Sequence, residues 1–155
     1  MTDLTDLVRA DAILGSLKAN SKKKVLQDLS VPAARAAGLS ERQVFETILQ
    51  RERLGSTGVG NGIAIPHGKI AGVKNLTGAF ARLDHPVDFD AIDGEPVDLV
   101  FLLLAPENAG AEHLKTLSRI ARALRDKDRV ARLRSTSDPE ALLAILADSG
   151  RPQAA

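Results

Sequence analysis

The sequence predicts an α/β fold in a single domain. Helical and strand-like segments alternate along most of the chain, which is typical of α/β architecture. A length of 155 residues is common for a single domain. The composition, 44% hydrophobic and 26% charged, is typical of a folded protein. No repeat and no Pro/Gly-rich linker divides the sequence. We therefore expect one domain over residues 1–150, followed by a disordered tail over residues 151–155.

The first elements predicted are a short strand and a helix. The strand covers Ile13–Leu17, and the helix begins near Asn20 or Ser21. Pro32 is expected to kink or split this helix, because proline lacks an amide donor and its ring clashes with the preceding turn. Gly38 then ends the helical segment.

A second helix and a glycine-rich loop follow. Ser40 and Gln43 have the spacing of a capping box, which predicts a helix that begins there and ends at Gly55. The glycine-rich loop continues to Gly62, and a short strand follows that Pro66 ends.

The second half of the chain predicts two strands and three helices. The strands cover Leu76–Leu83 and Asp98–Ala105, and a turn-rich segment, Asp84–Pro96, lies between them. The apolar run Leu99–Leu104 indicates a strand that is buried on both faces. The helices are expected at Ala111–Arg125, at Arg129–Arg134 and from Asp138–Pro139 to Gly150.

Composition excludes several classes of protein. The 21 Lys and Arg residues nearly balance the 20 Asp and Glu residues, and the aromatic residues are four Phe, so we expect no nucleic-acid binding. The single basic run, Lys22–Lys24, is interpreted as a solvated helix start. The absence of cysteine excludes disulfides, zinc–thiolate sites and cysteine nucleophiles. The N-terminus lacks the features of a signal peptide, and no apolar run is long enough for a membrane span, so we expect a cytoplasmic protein with no membrane insertion.

Three histidines are candidates for chemistry. Pro66 and Gly68 bracket His67, an arrangement that presents a ring at the end of a strand, although an ordinary loop histidine has the same appearance. His113 lies in the first turn of a helix and points with its apolar stripe, so it is either a buried core histidine or part of an anion site at the helix N-terminus. His85 is expected to be an ordinary surface residue.

Arginine is the natural partner of a phosphoryl group, because its planar fork donates two parallel hydrogen bonds. Arg51 and Arg53 both lie at the end of the helix before the glycine-rich loop, and helical angles leave both open. The loop lacks the Gly-Lys-Ser/Thr ending of a P-loop, and a strand follows it where a dinucleotide site requires a helix. No histidine or carboxylate spacing typical of zinc is present. We expect neither a cofactor nor a metal.

The segment Arg51–Lys69, which reads RERLGSTGVGNGIAIPHGK, resembles the active-site signature of the IIA proteins of the phosphoenolpyruvate-dependent phosphotransferase system, mannitol/fructose class. Its GSTG and GNG spellings are most similar to the nitrogen-regulatory branch. Phe89–Leu99 and Glu112–Leu114 resemble the same family further along the chain. The likeness covers roughly residues 4–146.

This resemblance implies a mixed β-sheet flanked by helices and a phosphoryl-transfer site. It implies that His67 is phosphorylated through Nε2, that Arg51 is the active-site arginine, and that His113 is the second histidine near the phosphoryl group. The glycine-rich loop adds candidates for phosphoryl contacts, namely Ser56, Thr57 and Gly60. The implied phosphoryl donor is a phosphohistidine on a small HPr-like carrier.

Two roles are compatible with such a site. The chain is either a regulatory phosphocarrier, whose phosphorylation state controls target proteins, or a sugar-branch component that passes the phosphoryl group to a permease IIB component. The likeness to the nitrogen branch and the expectation of a single unattached domain favour regulation, with potassium-transport or stress-signalling proteins among the conceivable targets. A third reading is a relative of the fold that has no phosphotransfer activity.

Overall fold

A mixed β-sheet forms the centre of the molecule. This computed structural model describes residues 3–148, which contain six strands, and the tail expected over residues 151–155 lies outside them. The strands are β1 (Ile13–Leu17), β2 (Gly58–Gly60), β3 (Ile63–Ala64), β4 (His67–Ile70), β5 (Thr77–Val87) and β6 (Val97–Pro106). A 3₁₀ turn, Ala10–Ala12, precedes β1.

The central strand is β6. The sheet order is β1-β5-β6-β3-β2, and β4 also pairs with β6. The pairing of β5 with β6 is antiparallel, whereas β3 and β4 run parallel to β6 at successive positions, from Ile63 opposite Leu99 to His67 opposite Leu103. All side chains of Leu99–Leu104 are fully buried. The prediction that this strand is covered on both faces is confirmed, because successive side chains point to opposite faces of the sheet and all six are buried.

Helices flank the sheet, so the predicted α/β class with a mixed sheet is confirmed. Within the described residues the helices are α1 (Lys22–Ala37), α2 (Glu41–Leu54), α3 (Ala111–Ala123), α4 (Lys127–Arg134) and α5 (Pro139–Ala147). Side-chain caps begin three of them where the sequence predicts caps or polar starts: the Ser21, Ser40 and Asp138 oxygens accept from main-chain amides in the first turn. Helix α1 packs against β5, and α2 packs against β4.

The prediction that Pro32 splits its helix is wrong. Helix α1 runs without interruption to Ala37 and ends at Gly38, which has a left-handed φ of 72°. An internal proline disfavours a helix by about 3 kcal/mol. Val25, Leu26 and Leu29 are fully buried on the same helix, and each contributes about 1.5–3 kcal/mol. Packing therefore outweighs the proline.

Two short strands, β2 and β4, differ from the prediction. Strand β2 lies where a glycine-rich loop was expected, and β4 follows Pro66, where the strand was expected to end. Asn61 and Gly62 have φ values of 58° and 81°, as a two-residue hairpin turn requires, and they join β2 to β3 within the glycine-rich segment. Pro66 interrupts the pairing with β6 between β3 and β4 but does not end it. Its carbonyl accepts a hydrogen bond from the Leu103 amide at 2.9 Å, and the chain continues as β4 beside β6.

The turn-rich segment begins later than predicted. Strand β5 continues to Val87, so the exposed His85 lies in a strand and not in a loop. The pairing of β5 with β6 is irregular between Arg82 and Val87. Pro86 lies in this irregular stretch, where proline's missing amide removes no regular ladder bond.

Candidate functional site

His67 is the first residue of β4 and follows the break in the sheet edge at Pro66. Its ring is partly buried, and Nδ1 lies 2.8 Å from the main-chain oxygen of Ile65. A carbonyl only accepts hydrogen bonds, so Nδ1 carries the proton and donates it. Nε2 then keeps its lone pair, since a neutral imidazole has one N–H. The main chain therefore selects the tautomer in which Nε2 is the nucleophilic nitrogen.

The environment keeps this imidazole neutral. Burial lowers the pKa of His67, and the positive charge of Arg51 lowers it further. The hydrogen bond to Ile65 and the negative charge of Glu52 raise the same pKa, but the net direction is downward. Because the ordinary value is about 6.5, the ring is predominantly neutral at pH 7.

His113 lies in the first turn of α3, and its ring meets the ring of His67 edge-on. The ring centroids are 5.5 Å apart and the planes are inclined by 78°. The residue is 7% exposed, so the prediction that it points into the protein is confirmed. Its Nε2 is buried and has no hydrogen-bond partner among residues 3–148. Burial lowers the pKa of His113, and the nearby His67 and Lys69 lower it further.

The structure separates the two candidate arginines. Arg51 Nη1 donates to the Gly55 carbonyl at 3.0 Å, and the guanidinium is close enough to lower the pKa of His67. Arg53 is exposed and lines an outer groove together with Lys23. Arg51 is thus the arginine near His67. Among residues 3–148 one of its five N–H donors has a partner, the Gly55 carbonyl, and the other four are available to an anion.

The three loop candidates have different positions. Ser56 Oγ donates to the Phe89 carbonyl at 2.5 Å and accepts from the Gly58 amide at 3.0 Å. Thr57 is buried, and its amide and hydroxyl both donate to the Glu52 carboxylate. Gly60 pairs with Ile63, the residue of β3 that is farther from His67. Ile63 and His67 are separated by four residues of extended chain, which corresponds to about 13 Å. The structure does not bring Gly60 to the histidine.

Sequence reasoning missed two charged residues next to the site, Glu52 and Lys22. Glu52 is 5% exposed, and its carboxylate lies 2.8 Å from Lys22 Nζ. The interpretation of Lys22 as a solvated helix start is therefore wrong, whereas Lys23 and Lys24 are exposed. One signal was available: Glu52 follows Val44 and Ile48 at intervals of four residues, which places it on the buried face of α2.

Four large apolar side chains are exposed among the described residues: Leu54 at the end of α2, Val59 in β2, Ile92 and Leu114. Leu114 follows His113 directly, so one exposed apolar side chain adjoins a residue of the site.

Within residues 3–148, no group of three or more His, Asp or Glu side chains is arranged to hold a metal ion. In the same part of the chain, no helix has both the length and the apolar character of a membrane span.

The site combines a neutral imidazole with a free Nε2, a guanidinium beside it and a second imidazole whose Nε2 has no partner among residues 3–148. It can accept an electrophilic anion such as a phosphoryl group.

Comparison with known proteins supports this interpretation. Residues 6–149 match the family described as "Phosphoenolpyruvate-dependent sugar phosphotransferase system, EIIA 2". A nitrogen regulatory protein of Bradyrhizobium diazoefficiens is 58% identical over 144 residues, 93% of this chain and 94% of that protein. One of Pseudomonas aeruginosa is 45% identical over 149 residues, 96% of this chain and 97% of that protein. The crystal structure of nitrogen regulatory protein IIA-Ntr from Neisseria meningitidis has a TM-score of 0.86 at 44% identity, covering 92% of this chain and 98% of that chain.

These matches extend over nearly all described residues and include every segment that forms the site. The family resemblance of the segment Arg51–Lys69 is thereby confirmed over the whole domain. The chain belongs to the EIIA 2 family of the phosphoenolpyruvate-dependent sugar phosphotransferase system, among its nitrogen regulatory IIA proteins.

Proposed function

We propose that this protein is a cytoplasmic regulatory phosphocarrier, which accepts a phosphoryl group on His67 Nε2 from an HPr-like phosphohistidine carrier and controls partner proteins by its phosphorylation state. The observation that carries the proposal is the bond from Nδ1 to the Ile65 carbonyl. That bond assigns the proton to Nδ1, and it leaves Nε2 as the nitrogen of the His67 ring that is able to attack phosphorus.

The proposed transfer is an in-line displacement. Nε2 of neutral His67 forms a bond to phosphorus as the bond from phosphorus to the donor's histidine nitrogen breaks, and that nitrogen recovers its lone pair. The His67 ring acquires positive charge, which the Nδ1–H bond to the Ile65 carbonyl stabilises. No proton has to leave the ring during the transfer.

Arg51 and His113 are the proposed groups that stabilise negative charge on the phosphoryl oxygens. The transition state of phosphoryl transfer spreads negative charge over three oxygens, so catalysis depends on positioning and electrostatic stabilisation. The guanidinium of Arg51 has donors beyond its contact with Gly55. Nε2 of His113 has no hydrogen-bond partner among residues 3–148 and is proposed to contact a phosphoryl oxygen, because the His113 ring lies 5.5 Å from the His67 ring.

The regulatory role follows from the charge that the group brings. The chain has a formal net charge of +1, and a phosphoryl group adds about −1.5 to −2 at one surface patch. Leu114 is exposed directly after His113 in the chain and suits contact with a protein partner beside that charge. The relatives in the comparison are named as nitrogen regulatory proteins, which favours regulation over sugar transport. Target classes under the proposal include potassium-transport and stress-signalling proteins.

Transfer of radiolabelled phosphate from phosphoenolpyruvate through the upstream carrier tests the site. The His67→Gln variant is expected to take up no label, because the glutamine amide nitrogen is not nucleophilic. His85→Gln is the matched control, since His85 is exposed in β5 and outside the site. Labelling of His67→Gln at the wild-type rate would contradict the assignment.

A second experiment separates regulation from sugar transport. The labelled protein is mixed with purified permease IIB components, and the label remaining on it is followed over time. A regulator retains its label on the time scale in which a mannitol-class IIA protein loses it. Rapid loss to a IIB component would replace the regulatory role with the sugar-branch alternative.

A further inference from the structure

A buried ion pair lies directly behind the site. Lys22, the first residue of α1, places Nζ 2.8 Å from Glu52 Oε2, and the two side chains are 20% and 2% exposed. Lys22 Nζ also donates to the Phe89 carbonyl at 3.2 Å and lies over the Phe89 ring. Lys22 contacts Glu52 and Phe89, and the transfer described above gives neither charged residue a direct role.

The carboxylate of this pair holds Thr57 at two points. The Thr57 amide donates to Glu52 Oε2 at 2.8 Å, and the Thr57 hydroxyl donates to Glu52 Oε1 at 2.5 Å. Both oxygens of Glu52 are therefore engaged, and a residue of the glycine-rich loop is fixed in position and orientation.

Thr57 in turn holds the segment that selects the His67 tautomer. The Ile65 amide donates to the Thr57 carbonyl at 3.0 Å, and the Ile65 carbonyl accepts from His67 Nδ1 at 2.8 Å. The hydrogen bonds thus connect Lys22 to Glu52, Glu52 to Thr57, Thr57 to Ile65 and Ile65 to His67. A shift of Thr57 would therefore move the carbonyl that accepts the hydrogen bond from Nδ1.

We propose that Lys22 and Glu52 are positioning residues for phosphoryl acceptance, which hold the Nδ1–H tautomer of His67 through Thr57 and Ile65. This inference rests on the proposed function for its kinetic consequence, but its structural part concerns the histidine tautomer alone. Neither residue touches the reacting atoms. They act through the main chain of the two segments that meet at Ile65.

Stability alone does not account for the pair. Removing two charges from water is unfavourable, and apolar side chains of similar size often stabilise a protein as well as a buried ion pair does. Apolar replacements at these positions could not hold the amide and hydroxyl of Thr57 together. A support that fixes a reactive group to within about half an ångström is what a transfer site requires.

Four variants test the proposal. Glu52→Gln keeps the size of the side chain but removes its charge and cannot accept from both Thr57 donors. Thr57→Val removes only the hydroxyl bond, whereas the separate variant Thr57→Ser keeps the hydroxyl and therefore the bond. Lys22→Met removes the cation. The matched control is Lys24→Met, which removes an equal charge from the same helix, where Lys24 pairs with Asp28 at 3.0 Å away from the site.

Two readouts are combined. The ¹⁵N chemical shifts of His67 at pH 8 report which nitrogen carries the proton, in protein whose folding is checked by circular dichroism. The rate of labelling is measured at several concentrations of the phosphorylated donor. Glu52→Gln and Thr57→Val are expected to lose the single Nδ1–H tautomer, and Glu52→Gln to accept phosphate about 10- to 100-fold more slowly at saturating donor. The donor concentration at half-maximal rate should not change, because the exposed surface is intact.

Thr57→Ser should recover the wild-type tautomer, and Lys24→Met should match the wild type in both readouts. The proposal is overturned if Glu52→Gln and Thr57→Val keep the wild-type tautomer and rate, or if Lys24→Met slows transfer as much as Glu52→Gln. If Lys22→Met does not fold, Glu52→Gln and Thr57→Val still decide the result. A wild-type protein that accepts no phosphate defeats the proposed function, and the tautomer comparison then decides this inference separately.

Discussion

Replacing His113 with phenylalanine should make the unphosphorylated protein more stable and phosphoryl transfer slower. Phenylalanine keeps a flat ring beside His67 and removes the buried Nε2 that has no partner among the described residues. An unsatisfied buried polar atom destabilises a protein by about 1–3 kcal/mol. The free energy of unfolding of His113→Phe should therefore rise by about 1–3 kcal/mol, which corresponds to roughly 2–4 °C in Tm for each kcal/mol.

The same change should remove one stabilising contact from the transferring group. A hydrogen bond to a charged partner contributes about 1.5–3 kcal/mol. At about 1.36 kcal/mol for each tenfold in rate, His113→Phe should accept phosphate roughly 10- to 160-fold more slowly. Gain in stability and loss in rate are expected together, because both come from the same nitrogen atom.

The assay pairs urea unfolding with the labelling rate at saturating donor. His113→Gln is the informative second variant, because its amide retains an N–H donor and should recover part of the rate without the gain in stability. His85→Phe is the control for adding a phenyl ring at an exposed position. A less stable His113→Phe protein that accepts phosphate at the wild-type rate would show that Nε2 is neither unsatisfied nor used.

Three further results are expected. Arg51→Lys should slow labelling by roughly 10- to 160-fold, the range calculated above for one charge-assisted bond, while urea unfolding changes little because the Arg51 contact is exposed. The pKa values of His67 and His113 are lowered, so the unfolded chain binds more protons below about pH 6.5. Stability should therefore fall as pH decreases through that window, and a His67→Gln/His113→Gln protein should show a flatter pH profile of unfolding; an unchanged profile would exclude these groups as the cause. Gly15→Ala should destabilise the protein by more than about 3 kcal/mol in thermal unfolding, because its Cβ would lie 1.8 Å from a main-chain oxygen. Gly38→Ala, which has open space but a φ of 72°, should destabilise it by only about 1–2 kcal/mol, and equal losses would refute the packing argument.

Much of the fold could be predicted from local sequence. The run Leu99–Leu104 is continuously apolar, and such a run identifies a central strand without knowledge of its neighbours. Ser40 and Gly55 delimit α2 correctly because caps and helix ends depend on adjacent residues. Strands β3 and β4 are too short to show a periodic pattern, and they exist because β6 offers hydrogen-bond partners. Asn61–Gly62 did carry a hairpin signal, which was obscured by the surrounding glycines.

The site divides in the same way. The residues next to His67 made it a candidate but left an ordinary loop histidine open. The choices of His67 and Arg51 both came from family resemblance, since helical angles do not separate Arg51 from Arg53. Glu52 and Lys22 were not recognised, because a charged residue at a helix end is usually solvated and the two are far apart in sequence. Only folding brings Lys22 Nζ within 2.8 Å of the carboxylate. Pairs of this kind depend on tertiary structure.

The acceptor that orients the His67 ring belongs to the peptide backbone, and this affects which replacements the protein tolerates. Every amino acid at position 65 presents the same carbonyl, so a mutational scan should find this position permissive for apolar residues that fill the core. Sensitivity should instead be concentrated wherever a change moves the main chain, such as an insertion or deletion between Gly62 and Pro66. The proton on Nδ1 is thus insensitive to which apolar side chain stands at position 65 and sensitive to changes in loop length.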